Sequence, residues 1–238
     1  MIGLGCGFEA TIPNMAKAAD EVTVTDLYGL EGAWHNAHKR PDEVWPELKN
    51  LHVNAMNMTK IDLPDESADF VWSLCAVEHV GHADAVVEVV RRAGRLLKPG
   101  GRMFISTEWT FDDQPFYAPA RPSGTLFLDK SNVRRLFTET GLHLTAPVDL
   151  RMSTHPFNVA VWDQAANKGF VNVPGTIYRT QPMPFWGCYA GCLSLVLCRE
   201  DLGKDFFVED PDQRAHLEPL FRLGRQISRR LTLPTRWW

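Results

Sequence analysis

Apolar residues return along this chain in two rhythms. Short apolar runs are separated by longer stretches in which apolar positions recur every three or four residues. The short runs predict strands: one entering at Met1-Ile2, then Val22–Thr25, Leu51–Ala55, Phe70–Cys75 and Arg102–Thr107. The helical rhythm is clearest over His82–Leu97, where Ala83, Val86, Val87, Val90, Ala93 and Leu97 share one face. Lys98-Pro99-Gly100-Gly101 stops that helix. Glu9–Asp20 is a second predicted helix, with Pro13 tolerated in its first turn. Asp129–Thr140 is a third, ended by Gly141. Leu27–Leu48 has no sustained period and holds a short helix after Pro41.

Strands alternating with helices imply an α/β domain with a parallel sheet covered on both faces. The last two strand candidates, Leu142–Val148 and Leu193–Cys198, have no clear helix between them. The final strand is therefore expected to run antiparallel. The 238 residues suffice for one sizeable core. A formal charge of −4 and a pI near 6.1 give no general pull toward nucleic acid. No apolar run approaches the roughly 20 residues of a membrane span, and the N-terminus lacks the basic start and cleavage site of a signal peptide. The five cysteines are odd in number and lack paired C-x-x-C spacing. Reduced thiols in a cytoplasmic protein are the expectation. No H-x-x-x-H or H-E-x-x-H helix is present, so no metal dependence is indicated.

The chemistry concentrates at the start. Gly3-Leu4-Gly5-Cys6-Gly7 follows an apolar lead-in and precedes a helix. Glycine adopts positive φ without a Cβ penalty and lets a ligand approach the backbone. Asp26 closes the second strand, where a carboxylate can accept from both hydroxyls of a ribose. Together they suggest a bound adenosine. The spacing is G-x-G-x-G. A dinucleotide fingerprint would need its last glycine at Phe8.

On these residues the chain resembles the class I S-adenosylmethionine-dependent methyltransferases, of the type 11-like kind. The commonest family loop carries a further glycine where Glu9 stands here. Three more segments match in order: Asp26, the stretch Asn57–Val71 with its clearer half Asp65-Glu66-Ser67-Ala68-Asp69-Phe70-Val71, and Leu96-Leu97-Lys98-Pro99-Gly100-Gly101. The resemblance covers residues 1 to about 150 and 189–200. It implies a Rossmann-like three-layer sandwich with a mostly parallel seven-stranded sheet and an antiparallel last strand beside the fifth. It implies S-adenosylmethionine as cofactor and methyl transfer as the reaction.

The resemblance assigns Gly3, Gly5 and Gly7 to the cofactor loop and Asp26 to the ribose. Leu27 and Met58 would sandwich the adenine, with core packing as the alternative. Asn57 stands where the family has an adenine-contacting Asp, and its carbonyl can accept from the exocyclic amine. Ser73, Leu74 and Cys75 would line the methionine part of the cofactor. His79 is a candidate base for a hydroxyl or amine acceptor; the alternative is that Glu78-His79 orders the loop and caps the next helix. Glu108 would bind a polar acceptor and Trp109 would wall its pocket, with ordinary loop packing as the alternative.

A domain over residues 1–200 is expected, with 201–238 as a tail. Within it, residues 151–187 form an insertion rich in Pro and aromatics, read as a lid. The basic segment Leu220–Trp238 suits weak contact with an anionic surface or partner, or is a solvated end. Strand one is short, and a fragment or a misassigned start are both open readings of it. The acceptor is expected to be a small molecule or glycan, methylated on oxygen. Two other readings stay open: a non-catalytic methyltransferase-like binding module, and a Rossmann-type enzyme using a nicotinamide cofactor.

Overall fold

The computed structural model describes residues 1–29, 39–110, 115–118, 124–151, 183–185 and 188–212. The predicted alternation is present. Strands β1 (Ile2–Leu4), β2 (Val22–Asp26), β3 (Leu51–Ala55), β4 (Ala68–Leu74) and β5 (Leu97–Thr110) all pair in parallel. Helix α1 (Ile12–Ala18) follows β1, the short α2 (Pro41–Val44) precedes β3, and α3 (Ala83–Arg95) joins β4 to β5. Beyond β5 come a small hairpin of β6 (Phe116–Ala118) and β7 (Thr125–Phe127), then α4 (Lys130–Thr138). The chain continues through β8 (His143–Leu144), β9 (Val148–Asp149), β10 (Met183–Phe185), β11 (Cys188–Cys198) and β12 (Phe207–Val208).

The main sheet runs β10-β11-β5-β4-β1-β2-β3, with β8 also paired to β11. Strand β11 lies antiparallel against β5, from Ala190 opposite Thr110 to Leu197 opposite Met103. That is the reversed last strand the sequence predicts. β8 lies antiparallel on the outer edge of β11, and β10 adds an eighth strand there.

Each face of the sheet carries its own core. Val71, Met103, Ile105, Leu193, Leu195 and Leu197 point to α3 and α4. Trp72, Val22, Val24 and Leu51 point to the α1 side, with Cys6 and Ile12. Adjacent residues Val71 and Trp72 serve opposite cores, as the strand period of two requires. The two cores make the three-layer sandwich.

Helix α3 forms because Val86, Val87, Val89, Val90 and Ala93 give it a buried stripe. His82 caps its start, accepting from the Ala85 N–H at 3.2 Å. Asp84 in its first turn and Arg92 and Arg95 in its last complement the helix dipole. Asp129 caps α4 in the same way, accepting from Asn132 N at 2.9 Å.

Three boundaries differ from the sequence reading. The Lys98–Gly101 turn does not precede the fifth strand but bulges within it. Pairing jumps from Ala68 opposite Leu97 to Phe70 opposite Arg102, with Gly100 at φ +79°. The expected strand Leu142–Val148 splits into β8 and β9, because β9 leaves the main sheet to pair with β12. Finally, packed structure runs past residue 200. Phe207 lies edge-on to Phe137 at 5.8 Å between ring centres, beneath the Lys130 ammonium and the Arg134 guanidinium. Asp205 accepts from Leu144 N at 2.7 Å and bonds His143 Nδ1 at 2.7 Å. The basic segment Leu220–Trp238 and nearly all of 151–187 lie outside the described residues.

Candidate active site

The site gathers where β1, β2, β4 and β5 end, at the carboxyl edge of the sheet, where open α/β folds bind ligands. The glycine loop leaves β1 here. Gly5 has φ +68° and Gly7 φ +51°, the left-handed region that favours glycine. A Cβ on Gly5 would lie 2.5 Å from both Ala76 Cβ and Met58 Cε. A Cβ on Gly3 would lie 2.4 Å from Cys6 Sγ and from the Trp72 ring. Gly3 therefore serves close packing inside β1, while Gly5 and Gly7 shape the turn.

Asp26 holds that turn. Its Oδ2 accepts from Gly7 N at 2.7 Å and its Oδ1 from Leu27 N at 2.6 Å. Burial raises its pKa, and the two N–H donors oppose the rise. Each oxygen still has a lone pair for a ribose hydroxyl. Tyr28, at φ +31°, donates its phenol to Gly7 O at 2.5 Å. The sequence reading missed this clamp, because nothing in a lone Tyr after a strand marks its partner. Glu9, at the position of the family's extra glycine, is partly buried. Desolvation lifts its pKa to about 7, against the Thr11 hydroxyl that donates to it at 3.1 Å.

The predicted adenine contacts divide. Met58 and Leu27 are half-buried beside the loop. Asn57 is exposed, and its Oδ1 caps the 3-10 turn Met58–Lys60 by accepting from Thr59 N at 2.9 Å and Thr59 Oγ1 at 2.8 Å. Ser73 is buried, and its hydroxyl donates to Leu4 O at 3.0 Å, bracing β4 against β1. Cys75 follows β4 at φ +46°, a strained conformation for a non-glycine residue at the mouth of a site.

A model of the methyltransferase domain matches residues 2–105, the segment that carries the loop, Asp26, β4 and β5. Over that segment the chain is similar to the class I S-adenosylmethionine-dependent methyltransferases. No curated protein matches it by sequence. Solved structures share its fold. An S-adenosylmethionine-dependent methyltransferase from Mesorhizobium loti is 17% identical with a TM-score of 0.55, over 82% of this chain and 88% of that one. Geranyl diphosphate C-methyltransferase from Streptomyces coelicolor A3(2), in complex with Mg2+, geranyl diphosphate and S-adenosyl-L-homocysteine, is 15% identical with a TM-score of 0.56, over 84% and 70%. The Burkholderia thailandensis 1,6-didemethyltoxoflavin-N1-methyltransferase, with bound 1,6-didemethyltoxoflavin and S-adenosylhomocysteine, is 14% identical with a TM-score of 0.51, over 83% and 71%. The open glycine turn with the Asp26 oxygens suits the adenosine of S-adenosylmethionine.

His79 lies in the 3-10 turn Val77–Val80 after β4. Its Nδ1 is 3.0 Å from Gly124 O. A carbonyl only accepts, so Nδ1 carries the proton and the lone pair sits on Nε2. Desolvation lowers the pKa of His79, while the Gly124 carbonyl and Asp26 oppose it. Glu108 stands near the end of β5 opposite Cys192. Burial lifts its carboxyl to a pKa of about 7. Glu78 is 1% exposed, and burial raises its pKa well above the usual range. Trp109 is buried in the core, so it packs the domain instead of walling a pocket. Among the described residues, no helix is long and apolar enough to cross a membrane.

Proposed function

We propose that this chain is an S-adenosylmethionine-dependent methyltransferase acting on an oxygen of a small or medium-sized acceptor, a glycan or secondary metabolite being the class it suits. One observation carries this reading: His79 is held by the Gly124 carbonyl in the tautomer that keeps a proton-accepting Nε2, at the edge where the acceptor enters. A hydroxyl must lose its proton as it attacks, whereas an unprotonated amine need not. S-adenosylmethionine supplies an activated methyl on its sulfonium. The chain's own residues do the rest. The Gly5–Gly7 turn and Asp26 fix the adenosine, Glu108 binds the polar acceptor, and His79 takes the proton. Holding methyl and oxygen about 3 Å apart in line supplies much of the acceleration. Bound S-adenosylhomocysteine with small substrates in two fold relatives supports a small-molecule acceptor. The free described cysteines agree with action in the reducing cytoplasm.

The test is transfer of labelled methyl from S-adenosylmethionine to a panel of hydroxylated, amino and carbon acceptors, with the product's methylated atom identified by NMR. The expected product is a methyl ether, lost by about 100-fold or more in His79→Ala with S-adenosylhomocysteine affinity unchanged. Exclusive methylation of nitrogen or carbon would overturn the assignment to oxygen. Cofactor binding with no transfer to any acceptor would favour a non-catalytic module.

A further inference from the structure

Three donors, two in the segment after β4 and one on β5, converge at the carboxyl edge of the sheet. Cys75 Sγ and one carboxylate oxygen each from Glu78 and Glu108 all lie within 4.8 Å of one another. Two carboxyls so close and so dry repel each other if both ionise. Glu78 is 1% exposed, yet its Oε1 has no hydrogen-bond partner among the described residues. The Oε2 of Glu108 is likewise buried and without a partner there. Orphaned carboxylate oxygens in a core are costly and call for a missing partner. The other Glu78 oxygen is already oriented, accepting from the Thr107 hydroxyl at 3.2 Å. Such a bond from a neighbouring group is how ligating carboxylates are held in place.

We propose that Cys75, Glu78 and Glu108 bind a divalent transition-metal ion of the zinc class. The donor set selects the class. A thiolate disfavours Mg2+ and Ca2+, which prefer oxygen alone, and mixed sulfur and oxygen donors suit Zn2+. A second thiol stands ready. Cys192 Sγ is 3.6 Å from Cys75 Sγ. Two thiolates on one tetrahedral zinc, each at about 2.3 Å, stand about 3.8 Å apart. Cys192 is the fourth donor within reach. Binding releases to solvent the Cys75 thiol proton and the protons that burial keeps on the Glu78 and Glu108 carboxyls, and the ion supplies the positive charge that the two carboxylates then need. That the ion stands where the acceptor enters rests on the reading of the function above. The binding itself does not.

The sequence gives no hint of this set, because Glu108 on β5 lies far along the chain from Cys75 and Glu78 after β4, and no histidine pair is included. The other cluster of this kind, His143 with Asp201 and Asp205, has its histidine already bonded to Asp205 and offers no orphaned buried atom.

The purified full-length chain, stripped with chelator and then dialysed against zinc, is measured for bound metal by mass spectrometry and for affinity against a chromophoric chelator. One zinc per chain is expected. Affinity should fall by roughly 100-fold in Cys75→Ser and in the Glu78→Gln, Glu108→Gln double variant, with a smaller loss in Cys192→Ser. Cobalt substitution of the wild-type chain should give a thiolate-to-metal charge-transfer band, absent in Cys75→Ser. That spectrum needs no variant to fold. S-adenosylhomocysteine binding, measured alongside, separates failure of the metal site from failure of the cofactor assignment. A wild-type chain that binds no zinc, or cobalt without the band, would overturn the proposal. So would zinc affinity unchanged in both ligand variants, which would locate the ion elsewhere.

Discussion

At the scale of single residues, two glycines separate backbone freedom from space. Gly5 and Gly29 both have positive φ, +68° and +87°. A Cβ on Gly29 meets nothing within 4 Å among the described residues, whereas one on Gly5 collides with Ala76 and Met58. Gly29→Ala should therefore cost only the left-handed backbone, about 1–2 kcal/mol. Gly5→Ala should cost more and should also abolish cofactor binding, as paired urea titrations and calorimetry would show. Glu9 gives a pH-dependent prediction. Its folded pKa, about 7, lies above its ordinary 4.5, so the folded state binds the extra proton. Its contribution is present below the ordinary value and is lost as pH rises through 7. Glu9→Gln cannot ionise. It should match the wild type near pH 4.5 and exceed it at pH 8, on the order of 1 kcal/mol once solvent screening is allowed for. Equal stabilities at both values would refute the burial of that carboxylate.

Individual residues were unequally legible in the sequence. The turn at Gly5 and Gly7 and the place of Asp26 at the end of β2 were readable because both are local to a strand end. The hydrogen-bond partners of Asn57 and Ser73 were not. Both side chains bond backbone or neighbours, Asn57 to Thr59 and Ser73 to Leu4, and a linear sequence does not show which partner folding supplies. Glu78 looked like half of a loop motif. Its burial beside Glu108 and Cys75 arises only when β4 and β5 pair, with Cys75 N donating to Ser106 O at 2.9 Å.

At the scale of elements, periodicity was the reliable guide. β3 and α3 fall where their patterns predict, because an amphipathic stripe or a short apolar run fixes its own structure. What failed were short elements whose existence depends on distant partners. β8, β9 and β12 have two residues each and are strands only because β11 and one another lie alongside. The β12 segment yields a test. Phe207→Ala removes the edge contact with Phe137 and the two overlying cations. We expect a loss of about 1–3 kcal/mol, the ring being half-buried. A chain ended at residue 200 should lose more, since Asp205 also leaves Leu144 N. Unchanged melting temperatures would show that residues 201–212 add nothing to the domain. On β11, Leu197 is fully buried, and Leu197→Ala should cost about 2–5 kcal/mol.

At the scale of the whole molecule, the sheet order explains why the chemistry sits at one edge. Five parallel strands all end on the same side, so the glycine turn, Asp26, Cys75 and Glu108 meet although they span residues 3–108. β11 runs the other way and brings Cys192 to that edge from its own beginning. The reversed strand also separates this fold from a nicotinamide dehydrogenase half, which would continue with a parallel strand. The central claim is that this edge is an S-adenosylmethionine site organised by Asp26. Isothermal calorimetry of S-adenosylhomocysteine with the wild-type chain and with Asp26→Ala tests it most directly. The account predicts one site per chain, no binding of a nicotinamide dinucleotide, and a loss of about 10- to 100-fold in the variant, the worth of charge-assisted bonds to a ribose. Wild-type affinity in Asp26→Ala, or a preference for the dinucleotide, would contradict it.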